Sequence, residues 1–192
     1  MPSRGAAPGV LCQGSTMRAE ITMFRVAACV ALVALLASSP AASQAGWKEY
    51  EYPKDGFAAR YPSEPRLAEH PYETRLGSAV TERVYSAESE GVVYAVTVAD
   101  FTGARPDTDR AIDEAAGQLI AMGRLTHDVS ARLNWNYGRE LRVEGVDGKS
   151  YTDAIFLIGD KLVQLKVIYP LNNSDAAGSA GIHYFQQAVR LL

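Results

Sequence analysis

A short apolar run near the start of this chain predicts where the folded domain begins. Arg25 precedes twelve small and apolar residues, Val26–Ala37, and the segment 41–45 reads Ala-Ala-Ser-Gln-Ala. A positive residue, a short apolar segment and a small-x-small site are typical of a secretory signal peptide. The run is too short to cross a bilayer, which takes about 20 apolar residues. We therefore expect cleavage between Ala45 and Gly46 and no stable membrane span afterwards.

The residues before this site divide into two segments. Residues 1–16 carry several Pro and Gly residues that have no role in a signal peptide, so we interpret 1–16 as a mis-assigned start. Residues 17–45 form the predicted signal peptide, with Met17 or Met23 as the true first residue. Cleavage after Ser43 is the alternative to cleavage after Ala45. Cys29 lies inside the apolar run, whereas a lipoprotein cysteine follows it, so we interpret Cys29 as an apolar member of the run.

Cleavage leaves residues 46–192, which we predict to be a single domain of 147 residues. Cys12 and Cys29 both precede the site, which excludes a disulfide, a cysteine zinc site and a cysteine nucleophile from this domain. Of the 19 basic and 22 acidic residues, three basic and one acidic also precede it, which leaves a net charge of −5. This negative charge argues against nucleic acid or anionic lipid as the partner.

The apolar spacing of the domain predicts strands, a helix, strands and a second helix. The first helix begins near Pro106–Asp107 and is expected to end at a capping glycine, Gly123, with acidic residues favoured near its start. The second begins at Ser174 or Asp175. This order predicts an α+β fold with an antiparallel sheet covered by helices. The predicted strands are Trp47–Tyr52, Gly56–Tyr61, Arg66–Leu76, Ala79–Ala87, Val92–Phe101, Ser130–Trp135, Tyr137–Glu144, Tyr151–Ile158 and Leu162–Tyr169.

Two strands carry more specific predictions. Val92–Phe101 is apolar or small on both of its faces, which predicts a central strand covered on each side. Pro71 lies within Arg66–Leu76, and because proline cannot donate to a ladder, it predicts an edge strand or a bulge there.

Several short motifs, in order, give the chain a family resemblance. The segment Asp55–Pro65 reads DGFAARYPSEP and resembles the opening "DGF-x-x-x-FP-x-x-P" of secreted bacterial proteins with the Mog1/PsbP-like fold. That resemblance implies an α/β/α sandwich around an antiparallel sheet, and a protein that docks on a larger partner rather than an enzyme. The later motifs that resemble this family are Gly138–Glu140, Asp147–Lys149, Ile158–Leu165 and Tyr184–Phe185 through Val189–Leu191.

The residues that carry chemistry elsewhere form no recognisable constellation here. The three histidines, His70, His127 and His183, are far apart and lack metal-ligand spacing, so we predict no metal site. No nucleophile elbow and no phosphate-binding glycine loop occurs, so we predict no cofactor site, no catalytic residues and no enzyme activity. Three strand carboxylates remain as candidates, and alternation predicts that they face solvent: Glu82, Glu140 and Asp153.

The densest mixture of ring, amide and guanidinium groups lies in Trp135, Asn136, Tyr137 and Arg139. These residues are our candidate surface for a ligand or a partner, with the rings supplying contact area and Arg139 or Asn136 supplying orientation. An ordinary strand-turn-strand with one ring in the core and one on a rim is the alternative. In that case Arg139 forms a surface ion pair near Glu140 or Asp153.

Three functions remain open from the sequence. The first is an exported, non-catalytic domain, periplasmic or extracellular, that docks on another cell-envelope protein or assists its assembly. The second is a small-ligand carrier with a pocket near Trp135 to Arg139. The third is a hydrolase of unrecognised type, which requires polar side chains that converge in one cleft, with at least one shifted pKa.

Overall fold

Antiparallel strands make up most of the described chain. The computed structural model describes residues 46–75, 80–103 and 107–192, and of 173–180 only the backbone. The predicted start 1–16, the signal peptide 17–45 and its last residue Ala45 lie outside these residues, and Gly46 is the first residue inside them. The elements are β1 (Lys48–Tyr52), β2 (Phe57–Tyr61), β3 (Arg66–Tyr72), β4 (Val80–Ser89), β5 (Val92–Asp100), α1 (Thr108–Ile120), β6 (Gly123–Leu133), β7 (Asn136–Gly145), β8 (Lys149–Ile158), β9 (Lys161–Pro170), a 3-10 turn (Leu171–Asn173), α2 (Ser174–Gln187) and β10 (Arg190–Leu191).

The strands form two sheets. The large sheet has seven strands in the order β3-β4-β5-β9-β8-β7-β6, and the small sheet has three in the order β1-β2-β10. Every ladder between neighbouring strands is antiparallel. The described chain is therefore mostly β-sheet with two helices, which agrees with the α+β prediction.

Two hairpin turns of the large sheet need a left-handed backbone at a glycine. Gly91, between β4 and β5, has a φ of +76°, and Gly148, between β7 and β8, has a φ of +78°. Glycine adopts such angles without steric cost, and positive φ in the two-residue turn at Gly91 and in the three-residue turn at Gly148 suits the twist of a hairpin. Neighbouring strands in these hairpins therefore pair in one register.

One buried cluster combines the small sheet, α2 and one face of the large sheet. Phe57 and Tyr61 of β2 meet Ile182 and Phe185 of α2 in this cluster. The ring of Phe185 lies 5.5 Å from the rings of Tyr61 and Tyr94. The large sheet contributes further apolar side chains to the cluster, among them Val92, Val96, Val98, Phe156, Val163, Leu165 and Val167.

A second buried cluster gathers around α1. The helix buries Ala111, Ile112, Ala115, Ala116 and Leu119, which recur at helical spacing. They pack with Leu141, Val143, Ile155, Leu157 and Leu162 of the large sheet. Ile155 and Phe156 are neighbours in sequence but belong to different clusters, because successive side chains of a strand point to opposite faces.

The strand β5 contributes to both clusters, as its sequence predicts. Val96 and Val98 belong to the first cluster and Ala99 to the second, and all three are buried. The predicted edge position of Pro71 is also confirmed, since β3 is the last strand at one edge of the large sheet. Pro71 is exposed there.

The helix α1 begins as predicted but ends earlier than predicted. The Asp107 carboxylate accepts a hydrogen bond from the backbone N–H of Arg110 at 3.1 Å, which caps the first turn. The last helical residue is Ile120, so the prediction that Gly123 caps the helix is wrong. Gly123 is instead the first residue of β6, where a Cβ would lie 2.0 Å from the Glu144 carbonyl oxygen. Close backbone contact explains this glycine.

The strand β6 is longer than the sequence predicts. It begins at Gly123, seven residues before the predicted start at Ser130, and has a bulge between Leu125 and His127. Nearly all of its side chains are exposed, because it is the outermost strand at the other edge of the large sheet. A strand exposed on both faces has no apolar alternation, which is the signal that identifies strands in a sequence.

The close contact at Gly123 predicts a large effect of a single methyl group. We expect Gly123→Ala to lower the free energy of unfolding by about 1–3 kcal/mol, because the contacting atoms belong to backbone that cannot move aside. Urea denaturation followed by circular dichroism measures this change. Gly117→Ala is the control, since Gly117 lies in α1 with open space at its Cβ position. It should raise stability by about 0.5–1 kcal/mol, and equal losses in both variants would contradict the prediction.

Candidate functional site

The aspartate of the DGF motif has a structural role. Asp55 is almost fully buried and accepts hydrogen bonds from Arg83 Nε at 2.8 and 2.9 Å. Its carboxylate also accepts from Arg83 Nη2 and from the Tyr85 hydroxyl. Burial opposes ionisation of Asp55, but the hydrogen bonds from Arg83 and Tyr85 and the charges of Arg83 and Lys161 outweigh it and hold the pKa below its ordinary value. The Asp55 side chain therefore holds the β1–β2 turn against β4 through its hydrogen bonds with Arg83 and Tyr85.

The candidate aromatic residues lie at the tip of the β6–β7 hairpin. Asn134 and Trp135 form the turn, and Asn134 has a φ of +54°. The side chain of Trp135 is 84% exposed and that of Tyr137 is 70% exposed. The Arg132 guanidinium carbon lies 5.0 Å from the Trp135 ring centroid and 5.3 Å from that of Tyr137. We call Arg132, Trp135 and Tyr137 the hairpin tip.

Asn136 and Arg139 do not join this exposed group. Asn136 is half-buried, and its amide donates to the Leu133 carbonyl at 3.4 Å. Arg139 donates to both oxygens of Asp128, at 3.2 and 2.7 Å, and to Asp113 at 2.7 Å. The suggestion that Arg139 pairs near Glu140 or Asp153 is therefore wrong, since its partners lie on β6 and α1. Hydrogen bonding to Arg139 lowers the pKa of Asp128.

Two grooves lie near these residues. One of about 350 Å³ is lined by Leu133 and Asn134 of the hairpin and by His183 and Gln186 of α2. The other, of about 600 Å³, runs between residues 73–75 and α1. There the Glu114 carboxylate accepts from the Arg75 backbone N–H at 2.7 Å. Neither groove is lined by Trp135, Asn136, Tyr137 or Arg139.

The histidines are separated as their spacing suggests. His70 lies on β3, His127 on β6 and His183 on α2. In the described part of the chain, no three His, Cys, Asp or Glu side chains come together in an arrangement that could hold a metal ion. Neither helix among the described residues is long and apolar enough to cross a bilayer.

Two of the three strand carboxylates do not face solvent as predicted. Asp153 on β8 is 1% exposed, and the Glu82 side chain on β4 is 16% exposed. The strands β8 and β9 are both covered on each face. Alternation along β8 therefore does not tell which of its side chains are buried and which face solvent. Glu140 on β7 is half-buried and lines the groove beside α2.

The buried carboxylates belong to a polar line that crosses the large sheet. Asp153 is directly opposite Lys166 on β9, and Lys166 is opposite Ala95 on β5, two residues from Thr97. Glu82 is opposite Ala99, again two residues from Thr97. These side chains share the face that α1 covers in part, because Ala99 and Ile155 of that face belong to the α1 cluster. We call Glu82, Thr97, Lys166 and Asp153 the polar diagonal.

The polar diagonal is incompletely hydrogen-bonded. Among the described residues, no hydrogen-bond partner reaches Oε1 of Glu82, Oγ1 of Thr97 or either carboxylate oxygen of Asp153. The Lys166 ammonium lies 4.0 Å from Glu82 Oε1, which is ion-pair distance but too long for a hydrogen bond. Burial raises the pKa of Asp153 to about 6, with the charge of Lys166 opposing the rise and that of Glu82 adding to it.

Comparisons with known proteins identify the fold. No protein-family model matches the chain, and no curated protein matches it. The solution structure of cyanobacterial PsbP (CyanoP) from Synechocystis sp. PCC 6803 matches 82% of this chain and 99% of its own length, with a TM-score of 0.50. The two sequences are 13% identical. The chain therefore has a PsbP-like fold, as the motifs predict.

The Asp55 network predicts a strong effect on stability. We expect Asp55→Asn to lower the free energy of unfolding by about 3–5 kcal/mol at pH 7, because it removes the hydrogen-bonded charge partner of the buried Arg83 and leaves only the more distant Asp100 carboxylate, at 3.8 Å. The control is Glu144→Gln, which breaks an exposed ion pair with Arg124 and should cost less than about 1 kcal/mol. Urea denaturation of both variants measures the difference.

The lowered pKa of Asp55 adds a pH dependence to this prediction. The stability that Asp55 contributes is complete above its unfolded pKa of about 3.9, and it is lost as the pH falls through the lower folded value. The gap between wild type and Asp55→Asn should therefore shrink below about pH 4. A gap that stays constant down to pH 2 would contradict this assignment.

The raised pKa of Asp153 predicts the opposite pH dependence. Because the folded state holds this proton up to about pH 6 and the unfolded chain releases it near pH 4, Asp153 lowers stability as the pH rises between these values. The total is about 3 kcal/mol, at about 1.4 kcal/mol for each pKa unit. The stability of Asp153→Asn relative to wild type should therefore improve by this amount between pH 4 and pH 7.5. Urea denaturation across that range measures it, and a flat difference would refute it.

Proposed function

We propose that this protein is an exported, non-catalytic domain that docks on another cell-envelope protein through the hairpin tip. The observation that carries this proposal is the exposure of Trp135 and Tyr137, two large rings held beside the Arg132 guanidinium. An aromatic side chain can bury about 150–250 Å² in a contact. Rings that remain in solvent at a hairpin end contribute little to folding, so contact with a partner explains them better.

The composition of the hairpin tip is that of an interface hot spot. Tryptophan, tyrosine and arginine are the residues most enriched among those that dominate binding energy. Arg132 donates from Nε to the Asn134 carbonyl at 2.8 Å, which holds its side chain over the turn. No carboxylate of the described residues lies within ion-pair distance of it, so its charge is available to a partner. The matching surface is an apolar groove with a carboxylate at its rim.

The adjoining edge of the large sheet supports a docking role. The strand β6 pairs with β7 on one side only, so its outer edge presents unpaired backbone groups in the described part of the chain. Such an edge can accept an extended segment of another protein. The bulge between Leu125 and His127 interrupts one end of this edge, so the part nearest the tip is the more regular one.

We infer export and a layered architecture on separate grounds. The Arg25 to Ala45 pattern supports a signal peptide and a periplasmic or extracellular location. The two buried clusters support an α/β/α sandwich, since α1 belongs to one and α2 to the other. Export would bring the protein to a compartment where another envelope protein is available. In the proposed sandwich, the hairpin tip lies at a sheet edge outside both buried clusters.

The small-ligand carrier is less well supported. Its pocket near Trp135 to Arg139 requires a polar group free to orient the ligand, but Arg139 is bound to Asp113 and Asp128. The two rings that would enclose the ligand are exposed instead. A hydrolase requires polar groups that converge in an open cleft, whereas Thr97 and Asp153 of the polar diagonal are enclosed. We therefore prefer docking to both alternatives.

Site-specific photo-crosslinking in the native host tests the docking proposal. We expect a benzoyl-phenylalanine at position 137 to cross-link one envelope protein in high yield. The matched control is the same group at position 146, since Val146 is 95% exposed at the turn at the other end of β7 and should give no product. Trp135→Ala should reduce the cross-link at least tenfold, because removing a hot-spot residue costs about 2 kcal/mol or more.

Two results would overturn the proposal. Equal cross-linking from positions 137 and 146 would indicate non-specific contact. An unchanged cross-link in Trp135→Ala would show that the ring carries no binding energy. Circular dichroism of Trp135→Ala should match wild type, since the side chain lies outside both buried clusters.

A further inference from the structure

The groove of about 350 Å³ beside α2 differs from the groove beside α1 in how its polar side chains are bonded. Beside α1, Gln118 donates to the Glu73 carbonyl at 2.6 Å, and the Glu114 carboxylate accepts from a backbone N–H. Beside α2, four polar side chains line the groove without a hydrogen bond or an ion pair to any described residue. These side chains are Glu140, His183, Gln186 and Gln187. The polar groups beside α2 are therefore available to a ligand.

Small residues leave the space for this groove at the edge of the large sheet. Ala131 on β6 lies opposite Gly138 on β7. Ala154 on β8 lies opposite Glu140 on β7. A Cβ at Gly138 would lie 2.5 Å from the Phe156 ring, so this ring packs where a longer side chain would stand. The volume lies within the range of small-ligand sites, which begins at about 300 Å³. The apolar lining consists of Ala131, Leu133, Ala154, Phe156, Leu165 and Val189.

The half-buried carboxylate of Glu140 gives this apolar groove a negative charge. Arg142 lies two positions along β7 on the same face, but its Nε donates to the Thr152 hydroxyl at 3.3 Å. Arg132 also lines the groove, but it lies opposite Tyr137 and its guanidinium is held beside that ring. Tyr137 and Glu140 are three positions apart, so their side chains point to opposite faces of the sheet. A charge taken partly out of water needs a partner, and a cationic ligand supplies one for Glu140.

Gln186 on α2 has the complementary requirement. Its Nε2 is buried, and no hydrogen-bond acceptor among the described residues reaches it. The last torsion of a glutamine side chain is broad, so a rotation of the amide turns this nitrogen towards the groove that Gln186 lines. Glu140 accepts hydrogen bonds only, whereas the Gln186 nitrogen donates only. A ligand that fits both therefore carries a cationic donor and a carbonyl acceptor as well as an apolar part.

We propose that the groove beside α2 binds a short peptide at an apolar residue that lies next to a positive charge. The apolar side chain fills the groove, the positive charge pairs with Glu140, and the peptide carbonyl accepts from Gln186. Of the hairpin tip only Arg132 lines the groove, so this site does not depend on Trp135 or Tyr137. Failure of docking at the tip therefore leaves this proposal untouched, and the converse also holds.

Nuclear magnetic resonance titrations of the protein, isotope-labelled in its own host, test the site. The first probe is phenylalaninamide at pH 6.5, where its ammonium is charged. It carries an apolar side chain, a cation and a carbonyl. We expect it to shift the backbone amides of Ala131, Ala154 and Gln186 in a saturable way. The dissociation constant should be on the order of 1 mM for so small a ligand.

Three further probes each lack one of these groups. Glycinamide lacks the apolar side chain, 3-phenylpropionamide lacks the cation and phenethylammonium lacks the carbonyl. Each should bind at least about fivefold more weakly than phenylalaninamide. A probe that binds as tightly without its group would overturn the proposal. No saturable shift with phenylalaninamide would also overturn it and leave water as the occupant of the groove.

Two variants separate the charge of the groove from its space. Glu140→Gln should weaken phenylalaninamide binding about fivefold but leave 3-phenylpropionamide unaffected, because only the first probe is charged. A merely structural role for Glu140 predicts equal losses for both probes, which would contradict the site. Ala131→Leu extends a side chain into the groove and should weaken both probes at least about tenfold. If Glu140→Gln does not fold, the Ala131→Leu result still decides the question.

Trp135→Ala is the matched control. Trp135 lies in the same hairpin as Ala131 but does not line the groove, so its substitution should leave the phenylalaninamide dissociation constant unchanged. A loss equal to that of Ala131→Leu would show that the probe binds at the hairpin tip rather than in the groove, which would overturn the proposal.

Discussion

The buried ion pair between Asp55 and Arg83 joins the two sheets on which the rest of the structure depends. Asp55 lies in the turn between β1 and β2, and Arg83 lies on β4 of the large sheet. The same turn is held by Lys161, which donates to the Lys54 carbonyl at 3.0 Å, and by Leu192, whose N–H donates to the Gly56 carbonyl at 2.9 Å. With the turn fixed from three sides, β2 presents its apolar residues to the core that also holds α2. A buried charge retains this role only while its partners stay in place.

Alternation of apolar and polar residues predicts much of the fold. The sequence-based predictions are wrong at positions where burial does not select one face of an element. The strand β5 is recognisable because it is covered on both faces and its residues are apolar on both. The first half of β6 is missed by the sequence prediction because β6 is an exposed edge strand, and no burial selects one of its faces for apolar residues. Gly123 follows a helix and looks like its cap, but close contact with β7 requires it instead. That contact joins residues 21 positions apart, which no local pattern reveals.

In the candidate sites, too, residues that are close in sequence can be predicted to lie together, whereas residues that only the fold brings together cannot. Trp135 and Tyr137 are identifiable from composition because they lie within three residues of each other. Arg132 completes the hairpin tip only through the register that places it opposite Tyr137, and that register depends on the Asn134 turn. Alternation along the strand predicts that Asp153 faces solvent, because a carboxylate in a strand usually faces water. Its burial results from the cover over β8, which is set by elements far away in the sequence.

The hairpin tip and the polar diagonal differ in what they cost the fold. The hairpin tip lies in solvent, so its rings neither stabilise nor strain the core. The polar diagonal occupies a sheet centre where apolar side chains of similar size would stabilise the protein more. Stability alone therefore does not explain Glu82, Thr97 and Asp153. In contrast, both oxygens of the Asp55 carboxylate accept hydrogen bonds, which offset the cost of burying that charge.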